Sequence, residues 1–159
     1  MKLNKSFIYI VGIILLVVAL DQITKEWILA RFSYGQVQPV INNFFNLTLT
    51  FNPGVAFGLF SNLDPLVRAL TLSSVSLIAI GVIIYLMRSQ FKNDAIARVA
   101  LSMILGGAFG NIIDRLRFGA VVDFLDFYYM SYHWPAFNIA DSAICVAVFI
   151  LIFRQPKVD

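Results

Sequence analysis

The chain has 159 residues, is 60% hydrophobic and only 13% charged, and has a mean hydropathy of +0.83, whereas a soluble domain is about 45–50% apolar and about 25% charged. That balance excludes an ordinary water-soluble domain and predicts one integral-membrane unit, 1–159, with a small net charge of +3 and no expected nucleic-acid partner. One cysteine, Cys145, and one histidine, His133, exclude a disulfide framework and a Cys- or His-rich metal centre, so the expected chemistry runs without metal or cofactor on carboxylates, amides and basic side chains.

A bilayer core of about 30 Å needs about 20 apolar helical residues, and backbone groups inside lipid must pair within the chain. Four segments qualify as transmembrane helices: about 6–27, 66–87, 95–113 and 136–153. Lys2 and Lys5 before "FIYIVGIILLVVAL" imitate a secretory leader, but no Ala-x-Ala-type site follows, and the segment is read as an uncleaved first helix. Between the first and second helices, residues 44–52 alternate, with Phe45, Leu47, Leu49 and Phe51 against Asn46, Thr48, Thr50 and Asn52, the period of a half-buried strand. Asn52-Pro53-Gly54 is a turn signal, after which the chain is expected to return as a second short strand. The result is a small β-sheet in the first extracytoplasmic loop, lying on the membrane surface with its apolar face down. In the second outer loop, "FYYMSYHWPAF" is dense in Tyr and Trp, as expected at headgroup depth.

Lys and Arg placement gives the orientation. Lys2 and Lys5, then Arg88, Lys92 and Arg98, then Arg154 and Lys157 put both termini and the short middle loop in the cytoplasm. The outer loops are then about 28–65 and 114–135. Lys25, Arg31, Arg68, Arg115 and Arg117 are exceptions, and all of them fall on the outer side.

With this topology the polar residues of the spans collect at one level. Asp21 and Lys25 lie in the last turns of the first helix, Asn111, Asp114 and Arg115 at the end of the third, and Asp141 one turn into the fourth. Ionisable groups in membrane helices generally face the bundle interior, so one polar pocket at the outer boundary is expected. Asp21 and Lys25, spaced i,i+4, are read as an internal ion pair. Asp114 and Arg117 are read as interfacial anchors, His133 as a loop histidine at the interface, and Gly106 and Gly110 as a small-residue spacing for close helix packing.

Asp123 and Asp141 have no Lys or Arg at i±4. Two carboxylates brought together away from water share a proton: one can act as base on a water while the other donates to a carbonyl, which is metal-free peptide hydrolysis. A proton or ion path, a structural hydrogen-bond network, and a non-catalytic lipid-binding or assembly subunit remain open on the residues alone, and Asp126 is a competing carboxylate.

"DQITK", "FNPGVAFGLF", "GNIIDRLRFGAVVDF" and "FNIADS", in that order and covering nearly the whole chain, resemble the bacterial signal peptidase II family of membrane aspartyl proteases. The resemblance implies a four-span inner-membrane enzyme, acting near the extracytoplasmic face, that removes the signal peptide before the diacylglyceryl-cysteine of prolipoproteins. It implies that Asp123 and Asp141 are catalytic, that Asn52, Gly54, Asn111, Arg115 and Asn138 bind substrate, and that Asp21 and Lys25 are structural. It further implies prolipoprotein substrates, membrane lipid and globomycin-type inhibitors as partners, no cofactor, and action as a monomer. One departure is Val55 in Asn52-Pro53-Gly54-Val55-Ala56, where the family commonly has alanine.

Overall fold

The computed structural model describes residues 5–54 and 64–154. Four helices occur among them: α1 (Lys5–Leu29), α2 (Pro65–Arg88), α3 (Ala95–Phe118) and α4 (Ile139–Ile152). Four strands, β1 (Val37–Ile41), β2 (Phe45–Asn52), β3 (Val121–Tyr129) and β4 (Tyr132–His133), form one antiparallel sheet in the order β1-β2-β3-β4.

The helix ends follow local chemistry. Asp64 caps α2 by accepting from Leu66 N at 2.9 Å, with Pro65 in the first turn, where a missing N–H costs nothing. Asp94 caps α3 by accepting from Ala97 N at 3.0 Å, and α3 stops at Gly119, which takes φ +71° and returns its N–H to Arg115 O at 2.9 Å. α1, α2 and α3 are long and apolar enough to cross a membrane. Exposed Leu15, Leu16 and Ile23 on α1 and Leu70, Leu77 and Ile78 on α2 form an apolar exterior of the kind that lipid, not water, covers.

α3 is the central helix, with 50% of its most apolar stretch buried against 11% in α1 and α2. Its glycines make that possible. A Cβ on Gly106 would come within 2.7 Å of Val17 Cβ on α1, and one on Gly107 within 2.6 Å of the Ala140 carbonyl oxygen on α4. Gly110 faces Asp21 Oδ2 at 2.6 Å in the same sense. The expected Gly106–Gly110 packing spacing is therefore present, with Gly107 serving the other neighbour. At one end of the bundle Ile83, Met87, Phe91, Ala97, Leu101 and Leu105 form an apolar cluster; at the other, Ile28, Phe32, Leu49, Val122 and Phe124 join α1 to the sheet.

The strand expected at 44–52 is present as β2, but the sheet is larger than a first-loop hairpin. Its third and fourth strands come from the segment between α3 and α4. α3 continues to Phe118 instead of ending near 113, and the expected loop becomes β3, paired through Thr50↔Asp123 and Asn52↔Val121. The expected return strand after Gly54 lies outside the described residues. The polar residues of β2 do not face water: Asn46 and Thr48 are buried, the first donating to Asp126 Oδ2 at 2.8 Å and the second to Gln36 O at 2.9 Å. These side chains find their partners within the sheet and its connections, and a shift of register between Leu47 and Thr50 breaks the alternation of β2 beyond Thr48. α4 starts at Ile139, not 136, because Leu125 and Phe137 pair across β3 and Asn138 serves as the cap.

Gly107→Ala is expected to lower stability by about 1–3 kcal/mol, the usual cost of forcing a methyl into a filled contact. Gly12→Ala, with nothing within 4 Å of the added carbon, should leave it unchanged or slightly higher. Thermal unfolding of the two purified variants in detergent compares them directly.

Candidate active site

Where the C-terminal turns of α3 meet the sheet and the N-terminus of α4 lies an open cavity of about 510 Å³. Asn52 and Gly54 line it from the end of β2, Asn111 and Arg115 from α3, Asp123 from β3, and Asp141 from the first turn of α4. Val121, Trp134, Pro135, Ala136, Phe137, Ser142, Ile144 and Cys145 complete the wall.

Each aspartate is held by amides. Asn138 Nδ2 donates to Asp123 Oδ1 at 2.7 Å and Asn52 Nδ2 to Asp123 Oδ2 at 3.2 Å. Asn111 Nδ2 donates to Asp141 Oδ1 at 2.8 Å, and the Asp141 backbone N–H donates to Asn138 Oδ1 at 2.9 Å. Asn138, the cap of α4, thus touches both aspartates with its two ends. Asn52 Oδ1 also accepts from Gly54 N at 3.1 Å, and Arg115 Nη2 reaches Gly54 O at 3.4 Å. Arg115 Nε is buried without a hydrogen-bond partner among the described residues.

Burial, and after it the negative charge of Asp141, raises the Asp123 pKa to about 7, against the opposing hydrogen bonds of Asn52 and Asn138 and the charge of Lys25. A carboxyl group in this state exchanges a proton near neutral pH, as acid–base work requires.

Behind the cavity lies an ion cluster. Lys25 Nζ is 2.8 Å from Asp21 Oδ2 and 2.7 Å from Asp114 Oδ2, and it donates to Asn111 Oδ1 at 3.2 Å. Gln22 Nε2 donates to Asp114 Oδ1 at 2.9 Å. The expected Asp21–Lys25 pair is therefore present. Asp114 is not an interfacial anchor: it is fully buried as the second counter-ion of Lys25. Its position three residues after Asn111 puts both on one helix face, a signal that could have placed it. Arg117 pairs with the exposed Glu26 and lies over the Phe118 ring at 4.6 Å. His133 stacks on Tyr128 and pairs with Asp126 at 2.8 Å. Asp126 itself lines no part of the cavity.

All nine site residues expected from sequence are thus gathered together. Asn52, Gly54, Asn111, Arg115, Asp123 and Asp141 face the cavity, with Asn138, Asp21 and Lys25 behind them. Sequence reasoning missed Gln22, the role of Asp114, and the wall from Trp134 to Phe137, whose aromatic character had suggested only a headgroup belt.

A cavity lined by two carboxylates beside three helices long and apolar enough to cross a membrane defines a membrane protein with a polar site. The sequence model of the family described as Signal peptidase (SPase) II matches residues 13–156, and the chain belongs to that family. It is 44% identical over 146 residues to the lipoprotein signal peptidase of Syntrophus aciditrophicus, covering 92% of this chain and 89% of that one. It is 43% identical to the lipoprotein signal peptidase of Burkholderia mallei over 92% of this chain and 86% of that one. Two solved bacterial membrane enzymes, both determined by the in meso method, share the fold. One has TM-score 0.81 and 30% identity over 95% of this chain and 94% of that one; the other has 0.79 and 33% over 91% and 90%.

The raised Asp123 pKa has a consequence for stability. The folded chain retains a proton, up to about pH 7, that the unfolded chain releases near the ordinary 3.8. Proton binding therefore favours the folded state, and this group's contribution is lost as pH rises through that window. Thermal scans across it are expected to show a decline that Asp123→Asn flattens.

Proposed function

We propose that the chain is an aspartic endopeptidase that removes the signal peptide from diacylglyceryl-modified prolipoproteins, cleaving before the lipidated cysteine. The observation that carries this reading is the placement of Asp123 and Asp141, from β3 and α4, on the wall of one cavity in a chain of the signal peptidase II family. Family membership favours hydrolysis over an ion path or an assembly subunit.

In the proposed reaction one carboxylate draws a proton from a water whose oxygen attacks the scissile carbonyl carbon. The other carboxyl, protonated, donates to the carbonyl oxygen. As the tetrahedral intermediate collapses, its hydroxyl returns the donated proton to the second aspartate and the C=O re-forms, the C–N bond breaks, and the leaving amine takes up the proton gained from water, which restores both carboxyls to their starting states. The raised Asp123 pKa suits a pair that holds one shared proton near neutral pH. Arg115, which lines the cavity, offers a forked cation to substrate carbonyls. Asn52 and Gly54 provide polar contacts at the end of β2, and Asn111 orients Asp141 from the cavity wall; Asn138, expected to bind substrate, is fully buried behind the wall and acts on the aspartates instead.

The same reading makes the chain a single multi-pass unit of the bacterial inner membrane, with four spans, both termini cytoplasmic and the cavity near the extracytoplasmic face. The exposed apolar faces of α1 and α2 then meet lipid, and a substrate anchored by acyl chains reaches the cavity sideways. Monomeric action and inhibition by globomycin-type cyclic peptides belong to this proposal.

Asp123→Asn and Asp141→Asn are each expected to slow cleavage of a lipidated precursor by on the order of 10²–10⁴-fold, read by gel mobility, with membrane insertion intact. Near-normal turnover by either variant would remove the dyad. Asp126→Asn, altering a carboxylate outside the cavity, should keep substantial activity.

Arg115→Ala is expected to raise KM about 10- to 100-fold, equivalent to a charged hydrogen bond of about 1.5–3 kcal/mol. Titration of precursor against purified variant measures it, and an unchanged KM would deny the arginine a substrate contact.

A further inference from the structure

Lys25 lies outside the cavity wall and is 1% exposed, with Asp21 and Asp114 both at 0%. A buried ion pair is weak evidence of a gain in stability, so its connections matter more than its existence. The ammonium has three protons and meets three acceptors: Asp21 Oδ2, Asp114 Oδ2 and Asn111 Oδ1.

Each acceptor leads to one of the two aspartates. Asp21 Oδ1 accepts from the backbone N–H of Ala140 at 2.9 Å, the residue just before Asp141. Asp114 Oδ2 accepts from the backbone N–H of Val122 at 3.0 Å, the residue just before Asp123. Asn111 Oδ1, bound by Lys25 and by Asn138 Nδ2 at 3.3 Å, is fixed as an acceptor. Its Nδ2 must then point the other way, to Asp141 Oδ1. With the cation gone, this amide loses the strongest constraint on its orientation, and the two carboxylates that grip α4 and β3 repel each other.

We propose that Lys25 is a positioning residue for the Asp123–Asp141 pair, drawing together the two carboxylates that anchor the backbone beside each aspartate and orienting the amide that holds Asp141. This inference rests on the proposed peptidase reading and adds to it a role for a residue that substrate does not touch.

The measurement is kcat and KM on a diacylglyceryl-modified precursor in detergent, with folded protein quantified by gel filtration. Lys25→Met is expected to lower kcat about 100-fold, the scale of loss when a supporting contact misplaces reacting groups, while KM stays within about threefold because Lys25 lines no part of the cavity. Lys25→Arg, which keeps the cation, should recover part of kcat.

Since removing one partner of a buried ion set can unfold a protein, Asp114→Asn provides a second test. It keeps an oxygen for the Val122 N–H but weakens the hold on Lys25, and kcat is expected to fall about 10-fold with KM held. A wild-type kcat in folded Lys25→Met, or in Asp114→Asn should the former not fold, overturns the proposal. So does a rise in KM with kcat unchanged, which would make Lys25 a binding group.

Asp123→Asn, assayed alongside, separates the two levels. If it is inactive while the Lys25 variants are fully active, only the positioning role fails. If it is fully active, the dyad reading fails first.

Discussion

A charge removed from water must find its compensation inside the protein, and here one ammonium meets that demand for three helices and the sheet. Lys25 on α1 sits between Asp21 on the same helix and Asp114 on α3, and those carboxylates accept from the backbone of α4 and β3. Apolar surfaces alone would let the helices slide or rotate against one another, since lipid is as apolar as their own side chains. The polar cluster sets depth and rotation, and the glycines of α3 bring the backbones close enough for it to form.

The cavity next to the cluster is two-natured. Amides, a guanidinium and two carboxylates occupy part of its wall; Val121, Trp134, Pro135, Ala136, Phe137 and Ile144 make up much of the rest. Such a wall matches a molecule that is itself part peptide and part hydrocarbon. Poor solvation also separates Asp123 from an ordinary surface carboxylate, because its charged form lacks the water that would stabilise it.

α4, at 14 residues, is shorter than its apolar run suggested, whereas α1, α2 and α3 were legible because length and apolarity suffice to define them. The end of α3 was not, because Asp114, Arg115 and Arg117 looked like an exit into water, whereas the helix continues with Asp114 facing its counter-ion and stops only where Gly119 adopts a left-handed conformation. β3 escaped notice for a related reason. "VVDFLDFYY" is covered on both faces along much of its length and so lacks the alternation that revealed β2. The gathering of Asp21, Lys25, Asn111, Arg115 and Asp141 at one level followed from helix ends alone. The bridging of Asp123 and Asp141 by Asn138 did not, since it depends on a cap whose side chain reaches another strand.

The shortness of α4 bears on how a hydrolase obtains its water. Its 14 residues extend about 21 Å at 1.5 Å per residue, against a hydrocarbon thickness of about 30 Å. If α4 is the fourth span proposed above, local thinning of the bilayer, with phospholipid headgroups dipping toward Asn138, is one way to match that length. Such a dimple would hydrate the site from its flank without a channel through the fold. It would also lower the barrier for a lipid-tethered chain to bring its amide bond to the same depth.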